Sequence, residues 1–156
     1  MAARIKLACG KYILIDLVDY KRVRQHGWGF SKNGHITGTI GNKRILLHHF
    51  LIGRKPPKGY KVIHVNYDLF DFRRANLVWV PHRVACQRQP LKEGAKSRYK
   101  GVTRHTKVDK WISSLTDGPK RIYLGYYDSE EEAATAYDKA AREHYGPYVR
   151  LNFPEV

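Results

Sequence analysis

The stretch KVIHVNYDLFDFRRANLVWV, residues 61–80, gathers side chains suited to work on a phosphodiester. His64 closes an apolar run, where an imidazole can draw a proton from an attacking water. Asn76 follows twelve residues later, with Asn66 and Asp71 between them to hold a loop by hydrogen bonds. Arg73 and Arg74 carry the planar donor forks that match phosphate oxygens. The residue directly before the histidine is Ile63, an aliphatic side chain that can neither bind a cation nor move a proton. A general base alone typically supplies only about 10^2 to 10^4-fold, so this position decides between an enzyme and a protein that has lost its chemistry.

Short elements must position these residues. RIKLACGKYILID, residues 4–16, predicts two strands broken at Cys9-Gly10, and LVDYKRVRQ a brief helix capped by Asp19. Trp28, Phe30, Ile36 and Ile40 mark strands that turn at 31–34 and at Gly41-Asn42, after which KRILLHHFLIG passes from strand into a helix ending near Gly53. Residues 60–64 and 77–80 read as paired strands, and PHRVACQRQ as a helix with Pro81 in its first turn. This gives a two-strand, one-helix unit around His64. QRQPLKEGAKS is polar, carries Pro and Gly and has no apolar period, so residues 91–97 are expected to link a first domain, 1–90, to a second, 98–156.

In the second domain SRYKGVTR, KWISSLT and KRIYLGYY are strand-like runs in the rhythm of an antiparallel meander. DSEEEAATAYDKAAREHYGP then places Ser129 as N-cap with Glu132 three residues on, and Gly146-Pro147 as a stop. Ala133, Ala136, Tyr137, Ala140, Ala141 and Tyr145 recur at helical spacing, an alanine face that can lie close against a sheet. The predicted class is α+β.

With 29 Lys and Arg against 14 Asp and Glu, the net charge of +15 exceeds what solubility requires and favours polyanionic partners, nucleic acid first. No apolar run approaches the roughly 20 residues of a spanning helix, and MAARIKLACGKYILIDLVDY breaks its apolar stretch with charge, unlike a signal peptide. A cytoplasmic protein without membrane partners is expected. Cys9 and Cys86 are too few for a disulfide framework or a Cys-x-x-Cys metal site and read as buried free thiols. His82 and Cys86, four apart on the expected helix, leave a soft-metal site open, with the plain surface-and-core reading preferred.

Tyr99-x-Gly101-Val102, Lys110-Trp111, Leu124-Gly125, the EEAATAYD helix and the closing Leu151-Asn152-Phe153-Pro154 resemble an AP2/ERF domain over about sixty residues. The resemblance implies three antiparallel strands packed on one helix, with the sheet entering the major groove of double-stranded DNA. Carried over position by position, its base and phosphate contacts fall on Lys100, Thr103 or Arg104, His105, Ser114, Thr116, Arg121, Tyr123, Tyr126 and Tyr137. Strand alternation expects Ile122 and Leu124 to pack on the helix, with Arg121 and Tyr123 outward. Thr103, Ser114 and Thr116 stand where plant members often use arginines and an acidic residue, so hydroxyl contacts replace bidentate guanine reading.

Residues 12–90 resemble phage-type HNH homing endonucleases, which often carry an AP2 domain in this same order; YILIDLVDYKRV, LLHHFLIG, PPKGYKVIHVN, DFRRANL and VPHRVACQR carry the likeness. It implies a ββα-metal-like site in which His64 is the general base and Asn76 braces the loop. The cation-binding positions fall on Ile63 and Ala85, neither of which can hold an ion. Tyr67, Leu69 and Phe72 replace the family's Gly, Gly and Asn. The expectation is therefore a duplex-DNA-binding protein with a degenerate HNH domain, no cofactor and no metal. Arg73 and Arg74 would clamp the backbone, in a role such as regulator, site-shielding competitor or part of a phage or host assembly in a bacterial cell. The alternative is a live Mg2+-dependent nicking endonuclease.

Overall fold

The computed structural model describes residues 1–91 and 93–154. Lys92 of the expected linker, and Glu155 and Val156 at the end of the expected second domain, lie outside the described residues. The chain divides into two compact units, Met1–Pro81 and His82–Val156. No helix among the described residues is long and apolar enough to cross a membrane.

In the first unit β1 (Ala2–Lys6) and β2 (Tyr12–Asp16) pair antiparallel, from Ala2 opposite Asp16 to Lys6 opposite Tyr12. Successive strand residues face opposite ways, and β2 thereby sends Ile13 and Ile15 into the core while Tyr12 stays outside. α1 (Leu17–Val23) follows directly. β3 (Trp28–Phe30), β4 (Ile36–Ile40) and β5 (Lys43–Leu46) form an antiparallel sheet in that order. Gly38 lies opposite Trp28, and a Cβ there would come within 2.8 Å of the indole. The ring therefore lies close over β4, and its nitrogen donates to the Val23 carbonyl at 2.9 Å, tying α1 to the sheet. α2 (Leu47–Ile52) ends at Gly53 in the left-handed conformation, φ 79°. β6 (Tyr60–His64) and β7 (Leu77–Pro81) pair with His64 opposite Leu77 and Ile63 opposite Val78. Leu7, Ile13, Ile15, Val23, Trp28, Leu47, Leu51 and Phe72 belong to one apolar cluster.

Asp19 departs from its expected role. The N-cap of α1 is Asp16, which makes no side-chain cap bond because its carboxylate accepts from the Arg74 backbone at 2.8 Å. Asp19 is instead buried inside the first turn. Both thiols, expected to be buried, are exposed. Cys9 lies in the turn of the first hairpin and Cys86 on a short helix, and in each place an apolar neighbour, Leu7 or Val84, is the buried side chain.

The second unit begins with α3 (His82–Gln87), ahead of the stretch read as a linker. Side chains account for this. The Gln87 amide donates to the Thr116 carbonyl at 3.2 Å, Arg88 donates to the Tyr148 carbonyl at 2.7 Å, and the Lys100 ammonium donates to the Gln87 carbonyl. β8 (Val102–Arg104), β9 (Trp111–Asp117) and β10 (Lys120–Tyr127) form an antiparallel sheet in the order β10-β9-β8. α4 (Glu130–Tyr145) packs across all three strands.

The capping box forms: Ser129 accepts from the Glu132 backbone at 3.1 Å, and the Glu132 carboxylate accepts from the Ser129 backbone at 3.3 Å. Ala133 and Ala134 are fully buried against Val102, with Tyr99, Trp111 and Tyr127 around them. The closing segment is clasped by Asp138, whose carboxylate accepts from the backbones of Asn152 and Phe153, each at 2.8 Å. Asn152 in turn bonds both backbone polar groups of Lys100, at 2.7 and 3.1 Å.

Candidate nucleic-acid interface

The sheet of the second unit has one face covered by α4 and one left open, and the strand register decides which residues belong to each. Residues directly opposite in an antiparallel pair share a face. Thr103 lies opposite Ile112, Thr116 opposite Arg121, Ser114 opposite Tyr123, and Tyr126 opposite Ile112. Val102, Ser113, Leu115, Trp111 and Tyr127 form the opposite set, against which α4 packs. Tyr123 and Tyr126 are three residues apart, a spacing that would put them on opposite faces of a regular strand. A β-bulge between Tyr123 and Gly125 changes the parity and returns both to the open face, where they are 65% and 60% exposed. The bulge is where sequence alternation runs out: Ile122, expected to pack on the helix, is 37% exposed, so β10 gives the helix less than a regular strand would.

Each contact residue suggested by the AP2/ERF resemblance has a definite place. Arg121 donates from Nε to the Ser114 hydroxyl at 2.9 Å, and its guanidinium lies 5.2 Å from the Tyr123 ring. Ser114 is buried beneath it, so that hydroxyl positions the arginine rather than facing outward itself. Thr103 and Thr116 stand on the open face. Arg104 falls on the helix-side set, opposite Trp111, with its guanidinium 5.5 Å from that indole and paired with Asp109. Register thus puts Thr103 on the open face and Arg104 on the other.

His105 accepts at Nδ1 from the backbones of Lys107 and Val108, at 3.1 and 3.2 Å. A neutral ring held this way carries its proton on Nε2 and presents it as a donor. The same ring packs edge-on against Tyr126 at 5.6 Å. Lys100 is not on the face: its ammonium is directed at the carbonyls of Gln87 and Gln89, and burial, followed by the charge of Arg150, lowers its pKa. Tyr137 is core, its ring lying where a Cβ on Gly101 would be.

The histidine loop of the first unit is a tightly bonded structure. His64 ends β6, its imidazole edge-on to Phe72 at 4.9 Å. Asn76 is buried; its carbonyl oxygen Oδ1 accepts from the Asn66 backbone at 2.9 Å and its amide donates to the Asp71 carbonyl at 2.8 Å. Arg73 and Arg74, expected as phosphate clamps, each fork onto a buried carboxylate. Arg73 donates to Asp71 at 2.9 and 2.6 Å, and Arg74 to Asp19 at 2.9 Å through both Nε and Nη2. These bonds are the main cause that holds both carboxyls below their ordinary range.

The divalent cation that the HNH resemblance implies does not fit these residues. Ile63 is 8% exposed and offers no lone pair, and Ala85 offers none either. Asp71, the buried carboxylate of the loop, already accepts from Arg73 and from the Asn66 amide at 2.9 Å. Among the described residues no group of three or more His, Cys, Asp or Glu is arranged to hold a metal ion. His82 and Cys86 do meet, Sγ to Nδ1 at 3.6 Å, as a pair.

Sequence reasoning passed over Lys96 and Leu91, which line a cavity on the open face together with Thr103, Thr116 and Arg121. The signal available was that cations persist through a stretch otherwise read as linker, but nothing in the spacing says that the stretch folds back.

Comparison with known proteins places this sheet and helix. Residues 97–147 match the AP2 domain family. The chain is 43% identical over 65 residues to the dehydration-responsive element-binding protein 2D of Arabidopsis thaliana, covering 40% of this chain and 31% of that protein. It is 41% identical over 75 residues to the ethylene-responsive transcription factor WRI1 of Arabidopsis thaliana, covering 42% of this chain and 17% of that one. The chain thus spans less than a third of the length of either relative. The second unit contains an AP2 domain.

Proposed function

We propose that the chain binds duplex DNA through the open sheet face of its AP2 domain and hydrolyses no phosphodiester bond. The observation that carries this reading is the juxtaposition of Arg121, Thr116, Thr103, Tyr123 and Tyr126 on one uncovered face, with the bulge keeping both tyrosines there. A three-stranded sheet face of this kind suits the major groove, where Arg reads guanine and hydroxyls read either partner. The names of the relatives, an element-binding protein and a transcription factor, support it.

Charge supports a division of labour. Met1–Pro81 holds 15 Lys and Arg against 4 Asp and no Glu, so most of the net +15 resides in the first unit. That unit supplies sequence-independent attraction to phosphates while the AP2 face reads bases. Its descent from a phage-type HNH homing endonuclease rests on the sequence resemblance. The loss of cleavage rests on Ile63, Ala85 and the engaged Asp71. A regulator or a competitor that shields a cleavage site fits a binder without hydrolysis.

Selection of bound fragments from a random duplex pool, followed by salt titration, tests the reading. A recovered consensus is expected, with log affinity falling linearly in log salt by about 0.9 per phosphate contact. Equal affinity for all duplexes, or preference for single-stranded or structured RNA, would overturn it. Incubation with supercoiled plasmid and Mg2+, Mn2+ or Zn2+ is expected to give no nicking. Nicking that disappears in His64→Ala would establish the nuclease instead.

A further inference from the structure

The segment between α3 and β8, described over residues 88–91 and 93–101, is tied near both ends to the AP2 portion of the second unit. At its start the Lys100 ammonium donates to the carbonyls of Gln87 and Gln89, and the Gln87 amide donates to the Thr116 carbonyl. At its end the buried Ser97 donates to the Glu130 carboxylate at 2.6 Å and accepts from the Tyr99 backbone at 3.0 Å, while Arg98 pairs with Glu130 and Glu131. Between these ties, Leu91, Ala95 and Lys96 wall an open cavity of about 360 Å³ whose other side is Thr103, Thr116 and Arg121. The walls combine two cations, Lys96 and Arg121, with two threonine hydroxyls and the apolar surface of Leu91 and Ala95.

We propose that this strap seats a sugar-phosphate unit of the DNA strand flanking the bases that the sheet reads, with Lys96 as its phosphate contact. The inference rests on the DNA-binding reading above and deepens it. Cations and hydroxyls are donors to phosphate oxygens, and the aliphatic wall suits a deoxyribose, which carries no charge and little hydrogen-bonding capacity. Lys96 would take the contact that the AP2/ERF resemblance implies for Lys100. The latter ammonium is consumed in fastening the strap, whereas Lys96 is exposed beside the open face. The strap would therefore set register on the duplex, leaving base choice to Arg121 and its neighbours.

The 156-residue chain carrying Lys96→Ala and, as a charge-matched control, Lys139→Ala on the exposed side of α4 are compared with the unsubstituted chain on the selected site. Lys96→Ala is expected to weaken binding roughly three- to tenfold on every duplex sequence and to make the salt slope shallower by about 0.9, with thermal stability unchanged. Lys139→Ala is expected to leave the slope as it is. A duplex carrying one neutral methylphosphonate is then stepped through the site. One position should weaken wild type while leaving Lys96→Ala unaffected. A Lys96→Ala slope equal to that of the control, or no position with such coupling, overturns the proposal. If wild type binds no duplex at all, the functional reading itself fails, which is a different result.

Discussion

Arg121 is held to Ser114 by a 2.9 Å bond from Nε to the buried hydroxyl, across adjacent strands of the same sheet face. One donor of the guanidinium is thus spent inside the protein, and the outer nitrogens are left to present a fixed fork. Fixing a side chain before it meets its target lowers the ordering cost of binding. Ser114→Ala should therefore leave non-specific affinity and the salt slope as in wild type, yet reduce affinity for the selected site by about 1 kcal/mol, the usual worth of such a bond. Competition between the selected duplex and a scrambled one measures the difference. A uniform loss on both would assign Ser114 to folding rather than to reading.

Gly101 takes φ 77°, and a Cβ there would lie 1.9 Å from Tyr137 Cδ2 and 2.8 Å from the Ser114 carbonyl. Neither neighbour can move away: the Tyr137 ring is 2% exposed in the core, and the carbonyl belongs to the central strand. Gly101→Ala adds left-handed backbone strain to this overlap, and the two together should destabilise the second unit by more than about 2 kcal/mol. Urea unfolding followed by the Trp111 signal would show it. Unchanged stability would mean that the helix does not lie as close to the sheet as these distances require.

Local chemistry was legible where one residue type dominates its surroundings. Ser129 with Glu132, the alanine face of α4, Gly53 at the end of α2 and the strands around the Cys9-Gly10 turn all follow from spacing and capping. The bulge at Leu124 was not legible, because Tyr123 and Tyr126 read as opposite faces until register is known. Nor were the partners of Arg73, Arg74 and Lys100. An arginine's donor fork suggests phosphate, and only the fold brings Asp19, 55 residues away in sequence, against Arg74. The strap was missed for the same reason, since polar composition with Pro and Gly looks alike in a free linker and in a segment tied by a few side chains to its neighbour.

Ser113 has no exposed surface, faces α4, and its hydroxyl finds no hydrogen-bond partner among the described residues. A buried hydroxyl without a partner costs about 1 to 3 kcal/mol. Ser113→Ala should raise the stability of the second unit by roughly 1 kcal/mol, the lower end being expected because a small void replaces the oxygen. Calorimetry on the full chain checks it through the transition to which Trp111 responds. A loss of stability would mean that the hydroxyl does not go unsatisfied in the folded protein.

The stability of the first unit should depend on pH in two windows that overlap only at their boundary. His48, on α2, has its pKa lowered from 6.5 to about 3, chiefly by burial and then by the charges of His49, His64 and His35 around it. Its unfolded form therefore binds a proton that the folded form refuses between about 6.5 and 3. Stability must fall as pH drops through that range, by at most about 1.4 kcal/mol per pH unit for one group. Asp19 and Asp71 act in the opposite chemical sense but the same direction. Their folded pKa values lie below 3.8, so the stabilisation they give is complete above that value and is lost only below it, as Arg74 and Arg73 lose their anionic partners. His48→Gln should flatten the profile between pH 6.5 and 4, whereas Asp71→Asn should lower stability at neutral pH and soften the acid limb below 3.8. The Trp28 indole resonance, bonded to Val23 inside this unit, reports the transition. A His48→Gln profile that retains the wild-type slope above pH 4 would remove this histidine as the cause.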